Sequence, residues 1–265
     1  MQFGCCTTMD YYDELARLGY DYIELAGKAV AAMDERAFAA AAARVAAGPV
    51  ACCGFNAYCP PEVVIAGRGW DLAAARAYAK RLLPRAKALG ARSVGIGAPA
   101  SRTLPEGFDR ALARRQMADF LKATAEVADR YGVTLLLEAV CTRECNFVNT
   151  TPEALEIVRE LALPNLFLVY DIYHAAVMGE SPAQIDAIFP LLRHVHICRD
   201  ARGERTYLAA EQPQPYQPYV DALLALGYDG AICLEAFCGD VPSGAACSLE
   251  ILREMTGWRE GGTGK

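Results

Sequence analysis

The sequence predicts a closed (β/α)8 TIM barrel, eight parallel strands each followed by a helix, folded as a single domain. Three observations carry this. Short apolar runs alternate with longer amphipathic stretches along the whole chain. Several of the runs are apolar throughout rather than at every second residue, as strands covered on both faces are. The length, 265 residues, is also that of such a barrel in one domain. A doubly wound open sheet is the competing architecture, and the tally of eight strand–helix pairs favours closure.

In chain order, strands are expected at residues 3–6, 22–25, 50–55, 93–97, 134–138, 167–171, 194–198 and 231–236. The first helix covers 9–18 and stops at Gly19. One Ala-rich helix is expected over 29–47, since Ala is the strongest helix former. The helices over 72–89 and 112–131 stop at Gly90 and Gly132, as helices ended by a C′ glycine do. The next opens with Thr151 as N-cap and Pro152 at the first helical position. Three more are expected over 182–192, 219–226 and 247–255, with a loop over 211–219. No composition shift marks a boundary, so the barrel is assigned to residues 1–258 and a flexible tail to 259–265.

Composition narrows the function classes. The chain has 26 basic and 32 acidic residues, a net charge of −6, and its Lys and Arg form no cluster that would hold a nucleic-acid backbone. No apolar run is long enough to cross a membrane, and the first residues lack a basic, apolar leader, so a cytoplasmic protein is expected. The cysteine count, eleven, is odd, and no C-x2-C pair occurs. Cys5, Cys6, Cys52, Cys53 and Cys233 lie in strand-like runs, where a free thiol packs as a small hydrophobe. Gly95-Ile-Gly97-Ala-Pro-Ala100 has the spacing of a dinucleotide-binding turn. However, Pro99 and residues 101–107 postpone the helix that would hold the pyrophosphate. Those glycines fit a tight barrel strand instead. Ser243, Gly244 and Ser248 after the last strand are a candidate phosphate site and read more simply as a helix cap.

The informative residues are the polar ones that interrupt apolar strands. Glu138 ends LLLEAV, Asp171 ends LVYDIYH, His196 lies in HVHICRD, and Glu235 ends CLEAF. They stand at or near the ends of the fifth to eighth strands, which converge on one mouth of a barrel. Three carboxylates and an imidazole gathered there would repel and lose solvent unless a cation neutralised them. Oxygen donors with one nitrogen suit Mn²⁺, Mg²⁺ or Co²⁺. His194 is expected to face away from His196, behind the barrel wall.

These residues resemble the xylose isomerase-like TIM barrels, the sugar phosphate isomerase/epimerase superfamily, over nearly the full length. Within that group the chain is most similar to ketose 3-epimerases of the tagatose and allulose type. The resemblance implies metal ligands Glu138, Asp171, His196 and Glu235, with Mn²⁺ the expected ion. It implies substrate contacts from Glu144, His174 and Arg202, which stand six, three and six residues after Glu138, Asp171 and His196. Gly227-Tyr-Asp-Gly230, ahead of the last strand, also fits the family. The P-G-x-G stretch that often follows the H-x-H strand is replaced by residues 204–219, which leaves the substrate open.

The implied chemistry is epimerisation of a ketose at C3 through a metal-bound enediolate, with Glu138 and Glu235 as acid and base on opposite faces. A small carbohydrate is the partner, and relatives of this type form homodimers or homotetramers. Lyases of the same superfamily, of the inosose dehydratase or C-glycoside-cleaving type, are the alternative. They expel a β-substituent where an epimerase returns the proton. Apurinic-site endonucleases of this fold hold three zinc ions with many histidines, whereas this chain has three histidines in all. A metal-bound carbohydrate sensor without turnover would not need both acid/base glutamates.

Overall fold

The computed structural model of the protein describes residues 1–258, and the tail expected at 259–265 lies outside them. Seven parallel strands come first: β1 (Gln2–Thr7), β2 (Tyr22–Ala26), β3 (Ala51–Asn56), β4 (Ser93–Ile96), β5 (Thr134–Glu138), β6 (Leu166–Asp171) and β7 (Leu192–Ile197). An antiparallel hairpin follows, β8 (Arg199–Ala201) and β9 (Glu204–Thr206), then the last barrel strand, β10 (Ala231–Leu234). β10 pairs with both β7 and β1 and closes the ring. The eight expected strands are all present, and the barrel is closed as the apolar runs predict.

Around it lie α1 (Tyr12–Leu18), α2 (Gly27–Ala32), α3 (Glu35–Ala47), α4 (Leu72–Leu89), α5 (Arg110–Asp129) and α6 (Thr151–Leu161). These are followed by α7 (Ile172–Val177), α8 (Ile185–Ile188), α9 (Gln217–Ala225) and α10 (Val241–Thr256). The single helix expected over 29–47 is two, because Asp34 stops the first and caps the second, accepting from Ala37 N at 2.7 Å. The cap of α6 is Thr150, not Thr151. Thr150 and Glu153 satisfy each other's backbone N–H groups, and Pro152 follows inside the first turn. Gly19 and Gly90 adopt the left-handed conformation that ends α1 and α4. α7 is absent from the expected elements; it starts on Asp171 itself, whose Oδ1 accepts from Tyr173 N at 2.8 Å.

The main core fills the layer between barrel and helices, with Leu82, Phe120 and Leu252 against Phe55, Val94 and Ile232, all buried. All eleven cysteines are free, and Cys5 and Cys52 join that core. No helix among the described residues is long and apolar enough to cross a membrane.

Inside the barrel, small residues on some strands make room for large ones on others. A Cβ on Gly4 would fall within the Tyr22 ring, and one on Gly97 would meet the Glu138 carboxylate. The Gly95/Gly97 pattern therefore serves the barrel interior, as expected, and holds no helix N-terminus. Gly4→Ala is expected to destabilise the fold by about 1–3 kcal/mol through overpacking. Urea denaturation reads this directly, and an unchanged midpoint would mean that the Tyr22 layer is loosely packed.

Candidate active site

Each strand delivers its polar residue to the C-terminal mouth. Glu138 is the last residue of β5 and Asp171 the last of β6; His196 pairs with Asp171 across β6 and β7. Glu235 stands one residue past β10, its N–H donating to Ile197 O at 2.9 Å. All four are buried, and one donor atom of each lies within 4.8 Å of the others. His196 Nδ1 is 3.6 Å from Glu138 Oε1 and 3.2 Å from Glu235 Oε2. Neither contact is aligned as a hydrogen bond, so His196 Nδ1 and Glu138 Oε1 are buried without partners.

A guanidinium enters this group from above, and it belongs to Arg205. Its Nη2 donates to Asp171 Oδ2 at 2.7 Å and to Glu235 Oε2 at 2.5 Å, while Nη1 lies 2.9 Å from His174 Nε2. The β8–β9 hairpin places it there. Phe237 N and Cys238 N both donate to Arg205 O, and the guanidinium lies 5.0 Å from the Tyr173 ring centre and 4.9 Å from that of Phe237. Arg202, the expected substrate arginine, instead stands exposed in the hairpin turn, at a φ of 57°. Glu144 reaches the rim, its Oε1 3.7 Å from Arg205 Nη1. His174 is buried beneath, and its Nδ1 lies 3.3 Å from Cys141 N.

His194 does not face away from His196. Residues two apart on a strand share a face, so His194 also points into the barrel, its ring centre 4.8 Å from that of His196. Between them lies Glu24 of β2, which sequence reasoning missed. Its signal was present: a carboxylate in the middle of the apolar run YIEL. Asn56, also missed, ends β3 and donates its Nδ2 to Glu235 Oε1 at 2.7 Å.

The electrostatics separate the two glutamates. Burial, with the Glu235 charge beside it, pushes the Glu138 carboxyl up to about 7, although His196 opposes the shift. Burial alone would raise Glu235 as well, but His196 and Arg205 hold it well below the usual carboxylate range. Glu24 is buried too, and the imidazoles of His194 and His196 hold it low. His174 is pushed down to about 4 by burial, with Arg205 adding to the effect and Asp171 opposing it, so it is neutral at pH 7. Burial raises Glu144, which Arg205 only partly offsets.

The donor set fits a divalent cation. Three carboxylates and one imidazole converge, two of their buried donor atoms lack partners, and each carboxylate oxygen that Arg205 occupies keeps a second lone pair. A second group, Cys6, Glu24, His196 and Cys233, lies deeper in the barrel. The cleft of about 230 Å³ beside the four-residue group is lined by Tyr11, Asn56, Tyr207 and Phe237. At the start of α10, Asp240 accepts from Ser243 N and Oγ, so that helix end is capped by a carboxylate.

A closed parallel barrel with such a set at its mouth defines a (β/α)8 protein with a candidate metal centre. The chain belongs to the xylose isomerase-like TIM barrel family, whose model matches residues 12–255. It is 33% identical to a ketose 3-epimerase of Arthrobacter globiformis over 152 residues, 54% of this chain and 48% of that one. It is 26% identical to an L-ribulose 3-epimerase of Mesorhizobium japonicum over 181 residues, 68% of this chain and 58% of that one. The match thus spans about half the length of these curated relatives. Among solved structures, D-psicose 3-epimerase of Clostridium cellulolyticum H10, crystallised with D-tagatose, shares the fold. The TM-score is 0.79 at 19% identity, covering 97% of this chain and 99% of that one.

Proposed function

We propose that the protein is a divalent-metal-dependent sugar isomerase/epimerase that inverts a ketose at C3. One observation carries this reading: two buried glutamates with opposed proton affinities, Glu138 and Glu235, meet at the point where Asp171 and His196 also converge. Glu138, Asp171, His196 and Glu235 would hold the cation, and Mn²⁺ best suits the donor set, with Mg²⁺ and Co²⁺ close behind. When bound, the cation supplies Lewis-acid polarisation of the substrate carbonyl.

The chain's own residues do the rest. Glu235, kept ionised, is equipped to take the proton from the carbon beside the carbonyl. Glu138, which holds its proton more tightly, is equipped to return one from the other side. In a loaded site the cation's charge would lower Glu138, so the two can exchange roles. Neutral His174 and Glu144 at the rim position hydroxyls. We assign the guanidinium contact to Arg205 rather than Arg202, because Arg205 reaches both carboxylates while Arg202 lies in the exposed turn.

A second reading is favoured by Glu144. A further carboxyl at the rim, raised by burial, would suit protonation of a leaving group in a lyase. A panel of free ketoses, inososes and glycosides in D2O, with Mn²⁺, Mg²⁺ or Co²⁺, tests both. The expected result is an epimer of unchanged skeleton with solvent deuterium at the inverted carbon. Loss of water or of a substituent, read by mass, would replace the epimerase with the lyase. An isomer formed over many turnovers without deuterium would point to hydride transfer and remove the proton-transfer roles of both glutamates.

A further inference from the structure

Below the four-residue group, the barrel interior holds two polar residues for which the proposed reaction has no use, Glu24 and His194. Glu24 is 3% exposed and projects from β2 toward β7. Its Oε2 lies 3.2 Å from His196 Nε2 in a hydrogen bond, and its Oε1 lies 2.5 Å from His194 Nε2 in a contact that is not aligned as one. The two imidazole rings stand at 90° to each other, and Tyr22 packs edge-on against His194 with centroids 6.2 Å apart. Glu24 is paired in register with Gly54 on β3, where a Cβ would come within 3.4 Å of the Glu24 carboxylate. The two ring nitrogens of His196 thus meet different surroundings. Nε2 faces one buried carboxylate, whereas Nδ1 faces the group of Glu138 and Glu235 and has no hydrogen-bond partner.

We infer that Glu24, braced by His194, is a positioning residue for the metal centre. It accepts the Nε2–H of His196, fixes that tautomer and ring angle, and leaves Nδ1 bare toward Glu138, Asp171 and Glu235. A carboxylate behind a ligand imidazole orients the ring and makes it a better donor. A carboxylate is costly to bury in a barrel interior. Besides the two imidazoles, Glu24 meets the Cys6 thiol, 3.9 Å from its Oε2. Of these neighbours His196 is the one that belongs to the four-residue group, so the effect of Glu24 on that group passes through the His196 ring. The inference rests on the reading of His196 as a ligand.

The test measures cation binding, with no substrate present. Co²⁺ is titrated into wild type, Glu24→Gln, His194→Phe and His196→Ala, following calorimetric affinity and the visible Co²⁺ spectrum. In parallel, ¹⁵N shifts of labelled histidine in the Zn²⁺-loaded wild type report which ring nitrogen carries the proton. Wild type is expected to bind with His196 protonated on Nε2. Glu24→Gln should bind about 10–100-fold more weakly with a shifted Co²⁺ band. His194→Phe, which keeps a ring against Tyr22, should move both readouts the same way by a smaller factor. A merely structural role would lower the melting temperature and leave the affinity and band of the folded protein unchanged, which overturns the inference alone. Wild-type affinity in His196→Ala, or no binding by wild type, overturns the ligand reading as well. Should Glu24→Gln fail to fold, His194→Phe decides: weakened binding of threefold or more supports the inference, and wild-type binding overturns it.

Discussion

Replacing Glu235 or Glu138 with Gln is expected to cut turnover by about 10²–10⁴-fold for each variant, the usual contribution of a positioned acid or base. Gln keeps an oxygen for the cation and the shape of the side chain, but it neither accepts nor delivers the proton. At Glu235 the single remaining oxygen stays with Arg205, and the new amide NH2 is accepted by Asn56 once that side chain turns over to present its unpaired Oδ1. The two variants differ in the metal-free protein. Burial raises Glu138 from the ordinary carboxyl range to about 7 in the folded state. Its stabilising contribution is therefore present below the unfolded value and is lost as pH rises through 7. Metal-free Glu138→Gln should consequently be more stable than wild type at pH 8, by up to about 3 kcal/mol. Glu235 is held low, so its contribution is present at pH 8, and Glu235→Gln should be less stable there. Single-turnover kinetics with urea denaturation separates these effects. Turnover within tenfold of wild type for both variants would remove the two-glutamate mechanism.

The sequence made the barrel and its mouth legible because a charged residue ending an apolar run has few explanations. Glu138, Asp171 and Glu235 each end such a run, and His196 lies within one, which places them at the mouth once closure is assumed. Glu24 interrupts a run in the same way but sits mid-strand, one layer deeper, where its partners are two histidines 170 or more residues later in the chain. No spacing rule reaches that far. The face of His194 does follow from the alternation of strand side chains, which puts residues two apart on one face and His194 beside His196. α7 was hidden because Asp171 closes a strand and caps a helix at once, leaving no loop between them. The break at Asp34 was masked by alanines on both sides, whose helix preference outweighed the one capping residue.

The same limit explains the arginine, and it sets the last expected result. A spacing of six residues after His196 leads to Arg202, but the chain inserts a two-stranded hairpin there, and the turn carries Arg202 out to solvent. Three residues later the returning strand, held by Phe237 N and Cys238 N on the Arg205 carbonyl, turns Arg205 inward. Arg205 then carries a buried charge shared between Asp171 and Glu235, and these carboxylates outweigh burial in holding it protonated. Removing one partner of such a group leaves the other charges uncompensated, at a cost of about 3–5 kcal/mol. That cost falls on folding; loss of a preorganised buried donor at the site is separately expected to make Arg205→Met lower kcat/KM by about 10²-fold or more. It should also lower the melting temperature of the metal-free protein. Arg202→Ala, a surface change, should stay within about 0.5 kcal/mol of wild-type stability and near wild-type activity. Divalent cation sharpens the comparison. If the cation and Arg205 neutralise the same carboxylates, adding Mn²⁺ should raise the melting temperature of Arg205→Met more than that of wild type. A larger activity loss in Arg202→Ala than in Arg205→Met would reverse the assignment. Equal Mn²⁺ stabilisation of Arg205→Met and wild type would show that the guanidinium and the cation act on separate groups.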